Sequence, residues 1–242
     1  MAAKPKAKAK AKNRVAVQGR PNTAAPPKGR GGIPNGLTLV GLGLGFLASL
    51  AAGKGNVDES LGLLALAAMA DALAGSAAQG LKQATPIGAE LDSLASLIVW
   101  GLAVALLAYA LGLQSLGLPG LGLAGLIVAA AAWRLCRGDS QNARHRYEGL
   151  PLTAAGATLV AALALGAAPL VVAGLVMALA VAQLGPWTYP RIRPKLIWFA
   201  PVFVSLGLAA FGWREGWVLP GLAAVGYILG APFFDRARTA GA

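Results

Sequence analysis

The stretch AMADALAGSAAQGLKQATPIGAELDSLASLIVWG, residues 68–101, sets two carboxylates, Asp71 and Asp92, inside strongly apolar sequence with small residues at helical spacing around them. A charge at membrane depth costs about 3 kcal/mol or more to insert, so each carboxylate reads as a candidate functional residue. Ala74 lies three residues after Asp71 and Ser96 four after Asp92, each on its carboxylate's own helical face. Neither can stand in for a carboxylate.

Working outward, the composition supports a membrane setting. Hydrophobic residues make up 57% of the 242 residues and charged ones only 12%, and apolar runs of roughly 17 to 25 residues recur, the length that crosses about 30 Å of hydrocarbon. Leu, Ala, Val and Gly dominate without the period of two that a β-barrel strand needs. The expected fold class is therefore all-α, a polytopic membrane helical bundle. Eight spans are expected, at about 36–52, 59–81, 88–113, 117–135, 150–167, 169–184, 195–213 and 217–234. The fifth and sixth are separated only by a GAAP turn and lie near the lower length limit, so re-entrant or steeply packed segments are an alternative there.

The basic residues give an independent reading of this topology. With the amino terminus on the cytoplasmic side and eight crossings, 19 of the 21 Lys and Arg residues fall inside; Lys54 and Arg214 alone fall outside. That asymmetry is the positive-inside pattern and puts both termini in the cytoplasm. Trp133, Trp187, Trp198, Trp213 and Trp217 stand near span ends, where an interfacial aromatic belt is expected.

Residues 1–32 carry nine of the basic residues, much Pro and Gly and almost nothing apolar, and read as a disordered cytoplasmic tail. The tail holds orientation and can attract anionic headgroups at about 1 kcal/mol per basic residue near the surface. Without interleaved aromatics it gives little support to nucleic-acid binding. No apolar core follows the lysines directly, so a signal peptide is not expected. The membrane domain is read as residues 33–242.

Topology brings the carboxylates together. Asp71 precedes the exit of the second span by about eleven residues, and Asp92 stands near the start of the third. Two antiparallel helices joined by the loop around Lys82 thus present both to one inward-facing region. Separate pairing of each carboxylate with Lys82, Arg134 or backbone is the alternative.

Asp71, Gly75, Ala78, Gly88 and Asp92 follow the spacing D-x-x-x-G-x-x-A-x9-G-x3-D. This resembles the CDP-alcohol phosphatidyltransferase signature, D-x-x-D-G-x-x-A-R-x8-G-x3-D-x3-D, and is most similar to that of bacterial phosphatidylserine synthases. IPNGLT at 33–38, GFLA at 45–48, PIGAELDSLA at 86–95 and GLP at 149–151 support it. The resemblance implies transfer of a phosphatidyl group from CDP-diacylglycerol to serine or another small alcohol with release of CMP, in phospholipid biosynthesis at a bacterial inner membrane. It also implies Mg²⁺ or Mn²⁺ held by four aspartates, the last serving as base, with small residues where the nucleotide headgroup approaches. Hard cations take carboxylate oxygens and polarise phosphoryl groups, which is why such a site needs these residue types. Homodimers are common among similar enzymes.

Carried over by position, Asp71 and Asp92 are the expected metal ligands, and Gly75, Ala78 and Gly88 border the CDP-diacylglycerol headgroup, with Lys82 a further phosphate contact. Ala74 stands at the second aspartate, Gln79 at the signature arginine and Ser96 at the base, so three of five charged positions are absent. No catalytic base is assigned. Metal binding is expected to be weak or absent, and loss of a general base alone costs about 10²- to 10⁴-fold in rate. Glu90 points about 200° away from Asp92 round the helix. The single His145 and the single Cys136 form no motif. The expectation is a phosphatidylserine-synthase-like membrane protein with an impaired site, acting as a scaffold, a regulatory partner or a binder of lipid or nucleotide. An active transferase with an atypical site is the competing reading.

Overall fold

A computed structural model describes residues 31–137, 146–190 and 200–239. The basic tail up to residue 30, His145, Trp198 and the basic residues 144, 191, 193 and 195 lie outside them. The apolar runs fold as helices where spans are expected: α1 (Gly32–Gly53), α2 (Val57–Gly80), α3 (Pro86–Leu111), α4 (Leu118–Arg137), α5 (Leu152–Ala164), α6 (Pro169–Leu184), α7 (Ala200–Ala210) and α8 (Val218–Thr239). The fold is the all-α, membrane-type bundle expected. Among the described residues, α1 to α4 are long and apolar enough to cross a membrane.

Side-chain size decides which face of each helix turns inward. Along α1 the buried positions are Thr38, Gly41, Gly45, Ala48 and Ala52, a stripe of small residues at helical spacing. Leu39, Val40, Phe46 and Leu47 of the same helix are about half exposed. Lipid solvates large apolar side chains as well as a protein core does, so helices gain most by apposing small residues and letting backbones approach. A Cβ on Gly45 would lie 2.6 Å from Val99 Cγ2, and one on Gly41 3.5 Å from the Ala70 Cβ. The glycine stripe thus seats α1 against both α2 and α3.

Helix α5 is 13 residues long, about 20 Å at 1.5 Å per residue, and falls short of the hydrocarbon thickness. It is followed by the 16-residue α6. Strand β1 (Arg146–Glu148), just before α5, pairs antiparallel with β2 (Thr188–Pro190), just after α6, in the register Tyr147 opposite Tyr189. The pair therefore leaves and returns on one side of the molecule. Arg137 at the end of α4 reinforces this by donating to the Leu184 and Gly185 carbonyls at 2.8 and 3.3 Å, where α6 has unsatisfied acceptors.

Gly149 turns the chain from β1 into α5 with φ 78°, and a Cβ there would sit 2.3 Å from the Gln183 carbonyl oxygen. Gly149→Ala combines left-handed backbone strain with a backbone clash and is expected to cost about 2 to 3 kcal/mol in reversible unfolding. Arg214, by contrast, meets Asp58 at 2.6 Å with both side chains largely exposed. Arg214→Ala should change stability by no more than about 0.5 kcal/mol despite the short contact, because an exposed ion pair is solvated in either state.

The aromatic belt is corrected at one position. Trp133, Trp187 and Trp213 are half exposed or more, but Trp217 is fully buried and its Nε1–H donates to the Leu61 carbonyl at 3.3 Å. It packs the start of α8 against α2 instead of facing the interface. Its neighbours explain why: Gly216 and Gly62 let α7, α8 and α2 approach so closely that the ring is enclosed.

Candidate functional site

The loop between α2 and α3 is short and conformationally fixed, and it sets the angle at which the two carboxylate helices meet. Lys82 takes the left-handed conformation at φ 54°, with an exposed side chain. Thr85 then caps α3, its Oγ1 accepting from the Gly88 N–H at 3.0 Å, with Pro86 in the first turn. A Cβ on Gly88 would lie 2.7 Å from Asn35 Oδ1 and 3.0 Å from Thr85 Oγ1. The smallness of Gly88 is thus required by packing against the start of α1. Asn35 and Gly88, from two separate stretches of sequence, are locked together at the mouth of the site.

Two turns into α3, Asp92 is exposed at this mouth, and Asp71 on α2 lies deeper and partly buried. Asp92 and the Trp100 indole both lie near enough to act on the Asp71 carboxylate. The two carboxylates therefore converge, as the antiparallel arrangement implies. Arg134 is directed elsewhere, its guanidinium 5.3 Å from the Tyr147 ring centroid.

A small crevice lies beneath them. Its walls are Thr38 and Gly41 of α1, Ala67 and Asp71 of α2, and Ala95, Ser96, Val99 and Trp100 of α3. The enclosed space is small, with room for about one water molecule, so a nucleotide has to lie across the opening. Gly75, one turn from Asp71, is exposed, and a Cβ there would touch nothing within 4 Å. Its backbone is open to a ligand in a way that Gly88 is not. Ala78 is partly buried, Gln79 and Glu90 are exposed, and Ala74 is only 3% exposed.

Two residues join the site that the sequence reading gave no role. Thr38 donates its hydroxyl to the Pro34 carbonyl at 3.1 Å, which leaves its oxygen lone pairs on the crevice side. Trp100 stands four residues after Ser96 and eight after Asp92, on the same face; helical spacing was the available signal. Between Ser96 and Val104 the helix widens into a π-helical segment, Leu97–Ala103, a rare geometry that is frequent at functional sites.

The sequence model of the CDP-alcohol phosphatidyltransferase family matches residues 32–209. The chain belongs to that family. As a phosphatidyltransferase-family chain it is a multi-pass membrane protein of the phospholipid-biosynthesis type, and the family is generally dependent on a divalent metal. No curated protein matches the chain closely enough to count as a relative. Among the described residues, no group of three or more His, Cys, Asp or Glu side chains is placed to hold a metal ion. The donor set does not fit a two-cation centre. A single hard cation asks for less, since Mg²⁺ and similar ions are commonly bound by one or two carboxylates and complete their shells with water and substrate phosphate.

Proposed function

We propose that this protein is a phosphatidylserine-synthase-like member of the family in which phosphatidyl transfer is impaired or lost, and which retains the capacity to bind a CDP-diacylglycerol-type headgroup at the α2–α3 mouth. The observation that carries the reading is the composition of the crevice. Asp71 and Asp92 converge, but the position of the expected base holds Ser96, which faces the same crevice as Asp71. A hydroxyl cannot take a proton from an acceptor alcohol at neutral pH as a carboxylate can.

Asp71 and Asp92 would hold a single Mg²⁺ or Mn²⁺, which when bound would neutralise phosphate charge and polarise the phosphoryl group. Around it, the open backbone at Gly75 and the partly buried Ala78 would let the nucleotide lie along α2, and the exposed Lys82 would meet phosphate at the rim. In this reading residues 33–242 form the transferase-like domain at the inner membrane, and residues 1–32 are its basic tail on the cytoplasmic side. A second reading, an active single-metal transferase using serine or another small alcohol, is favoured by the convergence of the two carboxylates itself.

Purified protein in lipid nanodiscs, given CDP-diacylglycerol, Mg²⁺ or Mn²⁺ and a set of small alcohols including serine, separates the two. CMP release at or near background is expected for the native chain and for Asp71→Asn and Asp92→Asn. Robust turnover abolished by either substitution would overturn the impaired-site reading and establish the active one.

A further inference from the structure

One buried polar group outside the family signature lies against the crevice: the Trp100 indole. Trp100 is 5% exposed, and its Nε1 is buried without a hydrogen bond of good geometry to any protein group. A buried indole N–H with no partner costs about 1 to 3 kcal/mol, so its direction calls for an explanation. The ring lines the crevice that holds Asp71 and Ser96, so the buried N–H and the Asp71 carboxylate border one small space. Behind it, Gly156 of α5 clears space for the ring: a Cβ there would lie 2.4 Å from Trp100 Cε3. The π-helical segment that carries Trp100 begins immediately after Ser96. Ring, backbone and the helix behind are all arranged around this one orientation.

We infer that Trp100 is a positioning residue that directs its indole N–H at one oxygen of Asp71 and turns the other towards Asp92. A neutral donor satisfies part of the carboxylate without adding charge. This suits a site that lacks the aspartates of a second cation, where an arginine or lysine in the same place would compete with the remaining one. The N–H is also fixed, because a ring packed against Gly156 cannot swing away, so Asp71 is oriented before any cation arrives. Groups that hold metal ligands in this way commonly set affinity by about 10- to 100-fold. The inference rests on the reading of Asp71 and Asp92 as a one-cation site, and the test separates the two.

The full chain labelled with ¹⁵N-tryptophan in nanodiscs gives an indole N–H signal for each of its six tryptophans, and Trp100→Phe identifies one of them by its loss. Asp71→Asn is expected to shift that signal and leave the other five in place, and Mn²⁺ should broaden it before the rest. Mn²⁺ affinity, read by electron paramagnetic resonance, should fall about tenfold in Trp100→Phe. A Trp100 signal indifferent to Asp71→Asn would overturn the inference and leave the ring as core packing. A signal that moves with Asp71→Asn but stays sharp in Mn²⁺ would support the positioning contact and overturn the cation reading of the site. Should Trp100→Phe not fold, the Asp71→Asn spectrum still decides, since a carboxylate without an indole donor moves none of the six signals.

Discussion

Restoring Ala74→Asp, Gln79→Arg and Ser96→Asp together is expected to raise metal-dependent CMP release from CDP-diacylglycerol by at least about a hundredfold over the native chain. A general base alone contributes about 10²- to 10⁴-fold, and the triple change returns a base together with ligands for a second cation. The substitutions have to be made together. Ala74 is 3% exposed and lies one turn from Asp71, so an added carboxylate there is a buried charge beside another unless cations neutralise both. Gln79 is exposed two turns further along α2, where an arginine can reach out over the mouth without being buried. The assay is the nanodisc CMP-release measurement in Mn²⁺ and in EDTA, with nucleotide binding measured in parallel. No gain in metal-dependent nucleotide binding would mean that positions 74, 79 and 96 do not correspond to the signature positions.

The sequence carried the bundle and the pairing of the carboxylates because both depend on coarse properties. Apolar run length sets where helices lie, and two antiparallel helices joined by a short loop must bring Asp71 and Asp92 to one end. Other features depend on contacts between distant segments, which no run length reports. The π-helical segment at Leu97–Ala103 is invisible because every residue in it is apolar or glycine and any register looks alike. The enclosure of Trp217 depends on Gly62 of α2 and Gly216 before α8 each closing on the end of α7; at the end of an apolar run the same residue reads as an interfacial anchor. Gly88 and Gly75 look equivalent in the signature, yet one is filled by Asn35 and the other stands open. The length of α5 was ambiguous for a similar reason, since it starts just after the β1–β2 pairing and the Gly149 turn and ends at the turn where Gly166 takes φ 74°, not at a change of polarity.

Ser96→Asp made alone should convert the protein into one whose stability depends on metal. The side chain at 96 faces the crevice shared with Asp71, and Asp92 acts on the same carboxylate, so an added carboxylate at 96 would set a further like charge beside Asp71 in a space with room for about one water molecule. An uncompensated charge in such a place costs about 3 to 5 kcal/mol. On the proposed reading the native chain lessens that cost by carrying Ser96 and Ala74, and by meeting Asp71 with the neutral donor of Trp100. On that reading the three departures from the signature are mutually consistent: once a second cation is not held, the carboxylates that would hold it are a liability. Unfolding of Ser96→Asp in EDTA should begin well below that of the native chain, and Mn²⁺ at about a hundred times its dissociation constant should return roughly 2.7 kcal/mol. On the proposed one-cation reading the native chain should gain far less from the same Mn²⁺. Equal stability of the two proteins in EDTA would show that residue 96 is not close enough to Asp71 and Asp92 to share a cation with them.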